Sequence, residues 1–146
     1  MRTQLSTSLF IAAWLVGIAA CNRSPTEPSN FAPFSQTDLR VGSGASAATG
    51  NTLTVHYTGW FYNESATDQK GVQFDSSRLG PPLTFRLGGG DVIAGWELGL
   101  IGLRVGGIRR LVIPPSLAYG PGRFGPIPPN ATLLFEVELL EVAEGS

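Results

Sequence analysis

Two stretches of this chain can be satisfied only as strands with one dry face. In "NTLTVHYTG", Leu53, Val55 and Tyr57 alternate with Thr52, Thr54, His56 and Thr58. In "ATLLFEVELLEV", Leu133, Phe135, Val137 and Leu139 alternate with Glu136 and Glu138. Successive side chains of a strand point to opposite faces, so a period of two buries one row and wets the other. "PLTFRLG" repeats the pattern, with Leu83, Phe85 and Leu87 set against Thr84 and Arg86, and "IRRLVI" adds a strand from Ile108 to Ile113 with less clear alternation. Strands with one wet face belong to antiparallel sheets.

Only "DVIAGWELGL" and the residues after it ask for a helix. A helix from about Val92 to Leu103 puts Val92, Trp96, Leu100 and Leu103 on one stripe. Its glycines each cost about 1 kcal/mol against alanine. Gly95 and Gly99 stand four apart, however, and that bare edge lets the helix come close to a sheet. The sheet is the only large surface able to cover Trp96. The expected fold is α+β, a curved antiparallel sheet of five or six strands wrapped around one short helix. The 19 glycines and 11 prolines among 146 residues fit a chain of many turns.

Composition removes several chemistries. The formal net charge is −1 and 14% of residues are charged, so the basic patch needed for nucleic acid is missing. A single cysteine, Cys21, excludes an intrachain disulfide and a thiolate zinc site. A single histidine, His56, is too little for most transition-metal sites or a Ser–His–Asp triad, and it sits on the polar face of its strand as a structural residue. No metal and no cofactor are expected.

The chain opens with "MRTQLSTSLFIAAWLVGIAAC", a positive start, an apolar run and small residues, the layout of a secretory signal over residues 1–20. The run is short for a membrane span of ~20 apolar residues. "IAAC" resembles a bacterial lipobox, which makes Cys21 the expected lipidation site; the other reading is a plain secreted protein with a free thiol. Residues 21–36, "CNRSPTEPSNFAPFSQ", then form a flexible tether, and the domain occupies residues 37–146. The expected location is the bacterial cell envelope, with the membrane contacted through the lipid anchor alone. "GSGASAATGN" reads as a second loose stretch.

"VHYTGW", "FDSSR", "VIAGWELGL", "AYG" and "IPPNATLLFEVELL" occur together in the order and approximate spacing of FKBP-type peptidyl-prolyl cis/trans isomerases, from about Leu53 to Val142. The resemblance implies the same fold, and an enzyme that accelerates isomerisation of X–Pro bonds during folding of exported proteins. It implies Tyr57, Asp75, Ile93 and Tyr119 as catalytic positions, with the N–H of Ile93 and the phenol of Tyr119 bonding substrate. It implies Phe74, Leu83, Phe85, Val92, Trp96, Ile127 and Phe135 as the walls that bind the proline, with Trp96 as the floor. Its partners would be proline-containing polypeptides and macrolide inhibitors. A second reading is a low-activity chaperone or binding module on the same fold.

Three features depart from the family pattern. "WFYNESATDQKGVQ" is longer than in the shortest members, Leu83 stands where an aromatic residue is usual, and the loop "GPGRFGPIPP" is shorter. Taken alone, Trp96 reads more often as a core tryptophan than as a ligand platform, and Phe74, Phe85 and Phe135 read as plain core. Asp75 is open between a carboxylate at the pocket edge, bonded to Tyr57 or Arg78, and a turn aspartate capping backbone N–H groups.

Such a site would need no acid, nucleophile or metal. The peptide bond resists rotation by ~18–20 kcal/mol because of its partial double-bond character. An apolar pocket disfavours the planar, more dipolar amide relative to the twisted one, and fixed flanking contacts add to that preference.

Overall fold

The computed structural model describes residues 31–145. The signal segment, Cys21 and most of the tether lie outside the described residues. Six strands and one helix follow in the order β1 (Ser35–Arg40), β2 (Thr52–Tyr62), β3 (Lys70–Ser76), β4 (Leu83–Arg86), α1 (Ala94–Gly99), β5 (Ile108–Ile113) and β6 (Leu133–Ala143). All pairings are antiparallel, and the sheet runs β1-β5-β6-β2-β3 without closing. The strand β4 pairs with the opening residues of β2, Thr52 to Val55, while β3 pairs with its later ones, Thr58 to Tyr62. Two short strands thus share one edge of β2, and the gap between them opens over Tyr57.

The alternation places the core as expected. Leu53, Val55, Leu133, Val137 and Leu139 are fully buried, joined by Phe85, Leu111, Ile113, Trp96 and Leu100 in one cluster. The first strand starts two residues before the expected domain boundary: Ser35 and Gln36 pair with Val112 and Leu111. "GSGASAATGN" is not loose either. Gly44 and Ala47 donate to the carbonyls of Val105 and Leu103, and Val105 and Gly102 return bonds to Ala45 and Ala47.

The helix is six residues long, half the expected span. Ile93 is extended (φ −60°, ψ 152°) and Leu100 closes the helix, with Gly102 at φ +82° turning the chain away. Glycine on both sides of Trp96 leaves little intrinsic helicity to propagate, so packing sets the length. That packing uses the bare edge. A Cβ at Gly95 would lie 2.5 Å from Cγ2 of Ile113, and one at Gly99 would lie 2.6 Å from Cδ2 of Leu111. Here the glycines let α1 sit on β5. The variant Gly95→Val is expected to lose about 1–3 kcal/mol through overpacking, toward the upper end because Ile113 is fully buried. Urea unfolding followed by tryptophan fluorescence measures it.

Both ends of the helix are tied down. At its C-terminal end the buried guanidinium of Arg109 donates 2.8 Å bonds to the carbonyls of Gly99 and Ile101 and a 2.6 Å bond to Asp38 of β1. From the helix, Glu97 reaches back to accept from the N–H groups of Gly88 and Gly90, which takes hold of the loop leading into Val92 and Ile93. Gly88 and Gly90 stand at φ +84° and +77°, a region that favours glycine.

Candidate functional site

The inward row of β2 reaches Tyr57 where the edge of the sheet is left open between β3 and β4. A cavity of about 400 Å³ fills this opening. Trp96, 4% exposed and carried by α1, lines it from the helix side. Tyr57 meets the indole edge-on at 5.2 Å between ring centroids, and Phe135 of β6 does so at 5.3 Å. Phe74 of β3 in turn stands edge-on to Phe135 at 5.6 Å. Edge-to-face aromatic pairs of this kind contribute about 0.5–1.5 kcal/mol beyond their buried area, which favours this arrangement of the rings.

Gly59 makes this cluster possible. It pairs with Asp75 on one side and Phe135 on the other. A Cβ there would lie 2.7 Å from Cε1 of Phe135 and 2.8 Å from Cζ of Phe74. Sequence reasoning gave Gly59 no role, because a glycine in a strand announces a close approach without saying of what.

The walls are mostly those expected. Val92, Ile93, Leu83 and Ile127 line the cavity together with Phe74, Phe135, Tyr57, Tyr119 and Asp75. Phe85 does not. It is buried beneath Trp96, 5.7 Å between centroids, and supports the floor from the core side. The strand alternation that makes Phe85 inward also places it under the helix instead of at the opening. Leu83, two residues earlier on the same strand, is half-buried at the rim.

Asp91, Phe124 and Pro126 also line the cavity. Phe124 stacks on Tyr119, 4.5 Å apart and 9° from parallel. It sits on a tight turn in which Phe124 and Ile127 exchange backbone bonds of 3.1 and 2.9 Å, with Gly125 at φ +54°. The loop after Tyr119 therefore carries an aromatic wall. Its signal in the sequence was an apolar residue set between glycines and prolines, where a solvated turn would have been enough.

The polar groups are few and their protons are fixed. The hydroxyl of Tyr57 donates to Oδ2 of Asp75 at 2.7 Å, and Oδ1 accepts from the N–H of Ser76 at 2.8 Å. Arg78 makes no bond to Asp75. Its guanidinium donates instead to Glu138 at 2.7 Å. Burial, then the bond and charge of Asp75, push the Tyr57 phenol up to about 12. Burial first, and Asp75 second, also raise the Tyr119 phenol. Both tyrosines are donors at neutral pH, and neither is a base. The N–H of Ile93 meets no acceptor among the described residues, while its carbonyl accepts from Trp96 and Glu97. The indole N–H of Trp96 is likewise buried without a partner there. His56 lies apart, bonded at 3.0 Å to Ser77, whose hydroxyl also accepts from the N–H of Tyr57.

Among the described residues no three His, Cys, Asp or Glu side chains cluster as metal ligands, and no helix is long and apolar enough to cross a membrane. The cavity offers an apolar box, unspent N–H and O–H donors at its rim, and a carboxylate that orients one of them. It can hold and turn a polar planar group of the substrate. Nothing in it is arranged to attack one.

Comparison with known proteins converges on one family. The sequence profile described as "FKBP-type peptidyl-prolyl cis-trans isomerase" matches residues 44–140. An "FK506-binding protein" of Neisseria meningitidis serogroup B is 50% identical over 109 residues, covering 73% of this chain and 94% of the relative. "FK506-binding protein 4" of Chaetomium thermophilum is 45% identical over 105 residues, and there the chain spans only 20% of the relative's length. Among solved structures, FkpA from Escherichia coli has a TM-score of 0.65 at 41% identity, over 77% of this chain and 49% of that one. AtFKBP13 has a TM-score of 0.61 at 40% identity, over 75% and 93%.

Proposed function

The chain belongs to the FKBP-type peptidyl-prolyl cis-trans isomerase family, and from that premise we propose that its cavity accelerates rotation about X–Pro bonds of polypeptides by stabilising the twisted amide. The observation that carries the reading is the combination of a dry aromatic box with donors that have nothing to bind: Trp96 below, Tyr57, Phe74 and Phe135 at the sides, and the free N–H of Ile93 and hydroxyl of Tyr119 at the rim. The proline ring sits over the indole. The N–H of Ile93 donates to a substrate carbonyl and so fixes the chain on one side of the rotating bond. Tyr119 donates a second bond, and Tyr57, held by Asp75, keeps the wall in register. The planar amide, with the larger charge separation, loses more on entering the box than the twisted one, which lowers the barrier. Each 1.36 kcal/mol of that preference gives about tenfold in rate.

The same box suits a macrolide such as FK506, after which the matched relatives are named. Leu83 in place of an aromatic wall is expected to weaken that binding. We place the enzyme outside the cytoplasm, tethered by a lipid on Cys21, on the strength of the signal-like start and "IAAC". There it serves exported proteins as they fold. The substitution Cys21→Ser is expected to move the protein from the membrane fraction to the soluble one, and unchanged fractionation would end the anchor reading.

The activity is tested by following cis-to-trans conversion of an Ala-Leu-Pro-Phe peptide with the purified domain. Acceleration in proportion to enzyme concentration is expected. Tyr119→Phe, which removes a rim donor and keeps the ring on Phe124, is expected to lower kcat/KM by about tenfold, the equivalent of one charge-neutral hydrogen bond in the transition state.

A further inference from the structure

We propose that Phe124 is a positioning residue for the prolyl reaction, its ring laid flat on Tyr119 so that the phenol is held at the cavity. The inference rests on the prolyl reading of the cavity, and it gives Phe124 a task there other than contact with substrate. Nothing polar fixes the Tyr119 side chain. The Tyr57 hydroxyl is locked by its 2.7 Å bond to Asp75, whereas that of Tyr119 bonds to nothing among the described residues. The backbone beside Tyr119 is anchored: the N–H of Gly120 donates to the carbonyl of Pro115 at 2.9 Å, and its carbonyl accepts from the N–H of Asn130 at 2.8 Å. The ring itself is only half-buried and keeps two side-chain torsions, which no hydrogen bond restrains.

Phe124 supplies that restraint. Its ring is 59% exposed, so it adds little to the core, and its one aromatic contact is the stack on Tyr119, 4.5 Å between centroids and 9° from parallel. Two flat faces in contact resist tilting of either ring, which a rounded aliphatic side chain would not do. The stack is delivered by a braced turn. Phe124 and Ile127 exchange backbone bonds, and Ile127 is 4% exposed in the core cluster, so the turn that carries Phe124 is rooted beneath it. A donor must stand within a fraction of an ångström of its working place to favour the twisted amide, and a ring free to swing would lose much of that effect. The ring of Phe124 also covers one face of Tyr119, in keeping with the burial that raises its phenol.

The test is a double-mutant cycle on kcat/KM for the Ala-Leu-Pro-Phe peptide, made from the parent, Phe124→Ala, Tyr119→Phe and the double variant. If Phe124 acts through the Tyr119 hydroxyl, Phe124→Ala lowers kcat/KM by about fivefold in the parent and by less than about 1.5-fold once that hydroxyl is gone. Phe124→Leu keeps apolar bulk without a flat face and is expected to behave like the alanine variant, while Phe124→Tyr restores the stack and most of the rate. Titration of the Tyr119 ring carbon by NMR gives a second readout: in Phe124→Ala the phenol should fall toward the ordinary tyrosine value as water reaches the uncovered face. Should Phe124→Ala loosen the turn, seen as a lower urea midpoint, the leucine and tyrosine variants in the two Tyr119 backgrounds decide instead. No acceleration by the parent would sink the prolyl reading itself. Acceleration by the parent with the same loss from Phe124→Ala in both backgrounds would leave that reading standing and make Phe124 a wall that acts without Tyr119, which overturns the proposal. Full activity in Phe124→Leu, or a Tyr119 phenol that titrates in Phe124→Ala as in the parent, would overturn it as well.

Discussion

Replacing Arg109 by methionine is expected to destabilise the domain by about 3–5 kcal/mol, a large share of the roughly 5–15 kcal/mol that holds a domain folded. The side chain is 8% exposed and ties three elements at once. It satisfies the carbonyls of Gly99 and Ile101, which the end of a helix otherwise leaves without donors, and it pairs with Asp38 of β1. Removing it strands two acceptors and a carboxylate. The carboxylate is 36% exposed and can recover some water, which places the loss toward the lower end of the range. Arg109→Lys keeps the charge and loses the fork that reaches three acceptors, so it should recover only part of the stability. Urea midpoints for the three proteins measure this, and equal midpoints for parent and methionine variant would show that β1 and the helix end are held by something else. Because α1 carries Trp96, peptide affinity should fall together with the midpoint.

The second large effect is at Trp96 itself. Trp96→Ala removes the ring on which Tyr57, Phe85 and Phe135 all rest, and truncation of a buried tryptophan costs about 3–5 kcal/mol. Stability and isomerisation therefore fall together, and the alanine variant alone cannot separate a floor from a core residue. Trp96→Leu refills part of the volume. It is expected to recover a good share of the stability while kcat/KM stays at least about tenfold below the parent, since leucine offers no flat face to a proline ring. A leucine variant that regains stability and activity in the same proportion would mean that the indole acts only as core.

The central elements were legible because their side chains carried the periodicity. Both long strands, β2 and β6, and the shorter β4 and β5 fell where alternation placed them, and the glycine edge of α1 correctly announced a close approach to the sheet. The strands β1 and β3 were not legible. "SQTDLR" is exposed throughout and "KGVQFDS" buries little, so backbone pairing at the two edges forms them without an apolar row to read. The helix was read as too long because its stripe continues through Leu100 and Leu103, which are buried as expected but by a turn and the strand pairing that follows. At the site, the aromatic box and its rim were both legible only through the family resemblance, because the side chains taken alone fit an ordinary core. Phe85 was expected as a wall from the resemblance, whereas alternation said only that it points inward, and it lies against Trp96 on the core side. Of the two partners open for Asp75 the structure takes Tyr57, and Arg78 goes to Glu138, which is distant in sequence and close only once β6 lies beside β2.

The proton inventory gives the account its sharpest consequence. With the Tyr57 phenol raised from 10.0 to about 12 and that of Tyr119 also raised, the neutral forms are the ones the fold favours. The stability that Tyr57 lends is fully present below about pH 10 and is lost as the pH climbs toward its folded value. Both donors thus remain protonated through the neutral range. The most direct measurement is kcat/KM for cis-to-trans conversion of the Ala-Leu-Pro-Phe peptide, taken from about pH 7 to pH 9, where a rotation driven by a dry pocket has no proton to transfer. A clear acceleration with a level profile is the expected result. Either no acceleration by the folded domain, or a profile that rises or falls about tenfold across that interval, would contradict it.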